Sequence, residues 1–118
     1  MALHSELPIY KVAYDLLGLV ISASSNMPRG VKQQVGTALI DECVRIVVLI
    51  FRANVAREKA PHLVELIERL QVAELFIRLS HDLRFIGTKQ YAAAIALTGQ
   101  IGRQANGWRR SSTPAPAA

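Results

Sequence analysis

The sequence predicts an all-α chain folded as an up-down-up-down antiparallel four-helix bundle. Three observations carry that prediction. Apolar residues recur at i, i+3, i+4 and i+7 along four long stretches. Strand-like alternation is absent. The breaks between stretches are short and contain Pro or Gly, which favours antiparallel neighbours. The chain has 118 residues, enough for one domain, and is 51% hydrophobic but only 6% aromatic. Its mean hydropathy is +0.22, apolar for so short a soluble chain. A domain of this length buries only ~65% of the surface its unfolded chain exposes. The surplus of apolar side chains therefore points to burial between subunits, and a homo-oligomer is expected.

The first helix lies between Leu7 and Met27, with Ile9, Val12, Ala13, Leu16, Leu19, Val20 and Ala23 on one face. Pro8 suits its first turn, where a missing N–H costs nothing, and Asn26, Pro28 and Gly30 stop it. The second helix runs from about Val31 to Ala56 and has an unusually wide apolar arc that includes Ile40, Val44, Ile46, Val47, Ile50 and Phe51. An arc wider than one bundle face implies neighbours on two sides. Ile46 and Ile50 are the candidates for a subunit interface.

"AREKAPHL" (56–63) is the next break, and the third helix runs from Pro61 to Leu83 with two apolar seams. Leu63, Leu66, Ile67, Leu70, Ala73 and Ile77 form one seam; Val72, Leu75, Phe76, Leu79 and Leu83 form the other. Gly87 is the predicted stop and Thr88 the next N-cap. The fourth helix then reaches about Trp108, with a regular stripe of Tyr91, Ala94, Ile95, Thr98, Ile101, Gly102, Ala105 and Trp108. Small residues, among them Ala92, Ala93, Ala96, Gly99 and Gly102, would allow close backbone approach. Residues 1–110 thus form the bundle domain, and 111–118 read as a disordered Pro/Ala/Ser tail.

Several function classes find no support in the residues. Cys43 is the only cysteine, so no disulfide framework or multi-thiolate metal site is expected within a chain. It lies in an apolar arc and reads as a small buried hydrophobe rather than a nucleophile. His4, His62 and His81 are scattered, and the pairs His62 with Glu65 or Glu58, and His81 with Asp82, do not converge as a metal site requires. There is no Gly-rich phosphate loop and no Ser/His/Asp arrangement. An enzyme, a cofactor and a small-molecule substrate are not expected. No apolar run approaches the ~18 residues of a membrane helix. Glu6 and Asp15 precede "LLGLVISASS" where a signal peptide would carry positive charge, so a reducing cytoplasm is the expected location.

Charge is more informative. Lys and Arg total 14 against nine acids, a net charge of +5, with an isoelectric point near 9.9. From Leu83 to Ala118 there is no acid at all. Ten of the basic residues are arginine, whose planar fork suits phosphate. Glu65, Glu68 and Glu74 cluster instead on the third helix. One end and one side of the bundle should be electropositive, fit for nucleic acid or an acidic protein. Candidate contact residues are Arg29, Lys32, Arg45, Arg52, Arg84, Lys89 and Arg103. Interleaved aromatics are lacking, so nucleic-acid contact should be led by phosphate and weakly sequence-specific. The same charge could simply be a solvated surface that aids solubility.

Five stretches in order carry a family resemblance: "LPIYKVAYDLLG", "MPRGVKQQVGTAL", "RANVAREKAPHLVELIERL", "LSHDLRFIGTKQYA" and "IGRQANGW". Over residues 6 to 110 the chain resembles the accessory variability determinant (Avd) proteins of diversity-generating retroelements. These are similar to the wider four-helix-bundle group that includes the ribosomal RNA intervening-sequence proteins. The resemblance implies a homopentameric ring with a basic outer surface that binds the element's reverse transcriptase and its template RNA or cDNA. It implies no catalysis, only support for mutagenic cDNA synthesis. Pro28-Arg29 matches the family's Pro-basic turn, Gly36 its early second-helix glycine and Trp108 its closing tryptophan, all structural in character. The basic C-terminus of some members is reduced here to Arg109-Arg110. An intervening-sequence-type oligomer with an RNA or protein partner and no retroelement is the alternative; a membrane-surface protein is disfavoured, since the apolar faces are used in packing.

Overall fold

The computed structural model describes residues 3–112. A single 3₁₀ turn, His4–Glu6, leads into helix α1, Pro8–Ser25. Helix α2 starts as Arg29–Val31, widens through a π-turn at Lys32–Gly36 and continues as Thr37–Val55. Helix α3 spans Ala60–Asp82 and α4 spans Thr88–Ser112. No strand occurs among the described residues. Each helix packs on its chain neighbours, and α4 closes against α1. With turns of only a few residues between them, neighbouring helices run antiparallel around a single four-sided core.

The inward positions follow the 3-and-4 spacing of the sequence. Ile9, Leu16 and Val20 of α1, Leu63, Leu66 and Ile77 of α3, and Ile101 of α4 are all buried. Each such side chain contributes about 1.5–3 kcal/mol relative to being left in water. Trp108 is half-buried and lines a groove with Leu7, Pro8 and Ile9, so it joins the end of α4 to the start of α1. Ala92, Ala93 and Ala96, in contrast, are exposed and bring no backbone close.

Ile46 and Ile50 need correction as interface residues. Both are 0% exposed, enclosed by the chain's own helices, and cannot meet a second subunit. The wide arc of α2 divides into two halves. Leu39, Cys43, Ile46, Ile50 and Ala53 face the core, while Val44, Val48, Phe51 and Val55 lie outward at i, i+4, i+7 and i+11. The second seam of α3 behaves similarly: Leu75, Leu79 and Leu83 are exposed, with only Val72 and Phe76 half-buried.

The turns explain the helix ends. Pro28 is extended (φ −54°, ψ 147°) and caps α2, which therefore starts two residues before the expected Val31. In the π-turn, Thr37 donates its backbone N–H and its hydroxyl, the latter at 3.3 Å, to the Lys32 carbonyl. At Gly36 a Cβ would lie 3.3 Å from the Ser24 Cβ, so the absence of a side chain allows α1 and α2 to meet there. At the second turn the Lys59 Nζ donates to the carbonyls of Ala53, Asn54 and Ala56 at 2.8, 3.1 and 3.0 Å, closing the end of α2.

The third turn differs from expectation. Gly87 does not stop α3; Arg84 does, in the left-handed region at φ 63°. The Arg84 N–H donates to the His81 carbonyl at 3.0 Å and the Phe85 N–H to the Ser80 carbonyl at 2.7 Å, the two bonds of a Schellman motif. Gly87 instead precedes α4, and its N–H donates to the Gln90 Oε1 at 3.1 Å. Thr88 is already helical and its hydroxyl lies 3.4 Å from the His81 Nε2. At the C-terminus α4 continues past Trp108 through Ser111 and Ser112, which the sequence reading assigned to the tail. The rest of that tail, 113–118, lies outside the described residues.

Candidate nucleic-acid interface

Four of the seven candidate contact residues share one end of the bundle. Arg29 and Lys32 open α2, Arg84 lies in the turn after α3, and Lys89 opens α4; all four are exposed. The first and third turns meet there, since Asn26 lines one cleft with His81, Arg84, Phe85 and Gln90. That cleft has a volume of about 660 Å³, and Thr88, the first residue of α4, also lines it. The N-termini of α2 and α4 both point to this end, adding the positive ends of two helix dipoles to the side-chain charges. Asp82 is the acid among the residues that line the cleft.

Arg45, Arg52 and Arg103 are exposed but lie elsewhere. Arg45 is midway along α2, Arg52 in its last turn, and Arg103 in the second half of α4. Arg45 and Arg52 flank the outward apolar stripe of α2. The structure thus assembles Arg29, Lys32, Arg84 and Lys89 into one basic end and leaves the other three distributed along the sides. None of the seven makes an ion pair among the described residues, so their charges face solvent without a protein counter-ion. The internal pair is Arg69 with Glu42 at 3.2 Å, which ties α3 to α2.

The remaining candidate chemistry is structural. Cys43 is buried, and burial first, with the Glu42 charge second, pushes its thiol up to about 12. A thiol held protonated in an apolar core is a poor nucleophile. The His81 ring stacks on Tyr91 with centroids 4.2 Å apart and its Nδ1 is 3.6 Å from the Asp82 carboxylate, a long contact between adjacent residues. His4 sets its ring edgewise against Tyr10 and Phe51, pinning the N-terminal turn across α1 and α2. No group of three or more His, Cys, Asp or Glu residues could hold a metal ion among the described residues. Among them, too, no helix is long and apolar enough to cross a membrane.

A family model described as bAvd-like matches residues 8–112, from the first residue of α1 to the last of α4. The chain belongs to the bAvd-like family. The resemblance carried by the five quoted stretches therefore holds over the whole bundle, and the basic end and the turns that build it all fall inside the matched region. No curated protein and no solved structure matches the chain.

Sequence reasoning missed two features of this bAvd-like bundle. Asn26 was read only as a helix stop, yet it lines the cleft beside Arg84. The left-handed backbone of Arg84 had no signal in the pattern, because a Gly three residues later offered the ordinary stop. The outward half of the α2 arc was visible as width, but not as a direction.

Proposed function

We propose that this chain is a non-catalytic accessory protein of a diversity-generating retroelement. In this reading it assembles as a homopentameric ring and binds the element's reverse transcriptase and template RNA through a basic outer surface. By holding both, it supports mutagenic cDNA synthesis. The observation that carries the reading is the bAvd-like match over the entire bundle, residues 8–112. Two properties support it: exposed cations at one end with no ion pair among the described residues, and outward apolar faces that a lone chain leaves in water.

The mechanism is electrostatic docking. Arg29, Lys32, Arg84 and Lys89 would replace counter-ions along a phosphate backbone, with ring assembly multiplying modest contacts by avidity. Each phosphate contact on single-stranded RNA steepens the fall of log K with log salt by about 0.7. Reversing two charges, Arg29→Glu with Lys32→Glu, should leave the bundle folded and lower that slope by about 1.4 per site, with weaker binding at every salt concentration. Binding isotherms over a salt series check this. Unchanged affinity and slope in the folded variant would remove both residues from the surface.

A further inference from the structure

We infer that the cleft at the basic end takes one unpaired guanine nucleotide, with the base on the cleft floor, its N1–H and N2–H edge at Asp82 and a phosphate at Arg84. The inference rests on the RNA-binding reading above and adds to it a place where a single base is read. The cleft grades from an apolar floor to a polar rim. Ile86 is buried, Phe85 and His81 are half-buried, and Asn26, Asp82, Arg84 and Thr88 are exposed. The His81 ring is held by stacking on Tyr91, centroids 4.2 Å apart, and its Nε2 lies 3.4 Å from the Thr88 hydroxyl. That wall is in place before any ligand arrives. A volume of about 660 Å³ falls within the range of small-molecule sites, which likewise join apolar and aromatic walls to a few polar groups.

Two opposite charges share the rim without neutralising each other. Asp82 and Arg84 line the same cleft, one residue apart in the chain, yet form no ion pair with each other. The Asp82 side chain is 66% exposed, and its contact with the His81 Nδ1 is a long 3.6 Å. Such a cleft suits a ligand with N–H donors at one edge, an anion at the other and a flat body between them. A nucleotide has that form. Phosphate alone would be repelled by Asp82, so the acid has no use in a site that meets only backbone. An ionised carboxylate accepts hydrogen bonds and donates none. Guanine presents two adjacent donors, N1–H and the N2 amino group, which a carboxylate accepts side by side. Adenine and cytosine set a ring acceptor beside their amino group, and uracil has a single N–H between two carbonyls. Single-stranded RNA is read in this way, by aromatic stacking, here on Phe85, and by hydrogen bonds to the Watson–Crick edge. Arg29, Lys32 and Lys89, exposed at the same end, meet the flanking phosphates.

The test is fluorescence anisotropy of the full chain, at fixed salt, with an all-uridine RNA oligomer and with the same oligomer carrying one central guanine or one central adenine. The guanine RNA should bind about tenfold tighter than the other two, a discrimination that a bidentate base contact supplies. Asp82→Asn keeps the side-chain shape and replaces one acceptor by a donor. In that variant, folded by circular dichroism, the three affinities should become equal, and the all-uridine RNA should bind at least as tightly as to the wild type because a negative charge is gone. A guanine preference that survives the substitution overturns the assignment to Asp82, and adenine bound as tightly as guanine overturns the choice of base. Equal binding of all three RNAs by the wild type overturns the inference while phosphate-led binding stands. A wild type that binds none of them overturns the RNA-binding reading as well. Should Asp82→Asn disturb the fold, Asp82→Ser takes its place and is read the same way.

Discussion

Arg84 holds a left-handed backbone position that glycine usually occupies, with φ 63° and both Schellman hydrogen bonds made. A side chain there costs roughly 1 kcal/mol relative to glycine. Arg84→Gly should therefore raise the unfolding free energy by about 0.5–1 kcal/mol, read from the denaturant midpoint at constant m. The same variant removes one of four cations from the basic end and should weaken RNA or polymerase binding. Lower stability would show that the arginine side chain offsets its backbone strain through contacts of its own. The sequence could not announce this residue, since nothing in apolar spacing reports a single φ angle. Core positions were legible for the opposite reason: Leu16, Leu63, Leu66 and Ile101 each recur in a pattern that many neighbours share.

At the scale of elements, the four helices were readable almost to their ends, because Pro and Gly stand where the chain must turn. Pro28 and Pro61 lie at the starts of α2 and α3. What failed was the direction of a helix that is apolar on both sides. Along α2 the pattern is satisfied equally by Ile46 and Ile50 inward and by Val44, Val48 and Phe51 outward, and only its packing against α1 and α3 assigns the sides. The second turn also depends on a contact that spacing does not reveal. Lys59 is a charged residue in "AREKAPHL", yet its ammonium group satisfies three carbonyls at the end of α2. A cation in that place also complements the negative end of the helix dipole. Lys59→Met keeps the stem and removes the donors, and should lower stability by about 1.5–3 kcal/mol in chemical denaturation. A loss below about 0.5 kcal/mol would mean that water replaces the ammonium group at no cost.

For the whole molecule, composition already joined the two properties that matter: a surplus of apolar side chains and a net charge of +5. The structure divides them between surfaces, apolar on the outer sides of α1, α2 and α3, and basic at the end where α2 and α4 begin. A ring would bury the first and multiply the second, which is the physical basis of the proposed accessory role. The most direct test is size-exclusion chromatography with light scattering of the purified protein, alone and with the reverse transcriptase of a diversity-generating retroelement that the proposed function requires as its partner. The account predicts a homopentamer of the 13.0 kDa chain that co-elutes with the polymerase as one complex. A monomer that elutes apart from the polymerase would contradict it.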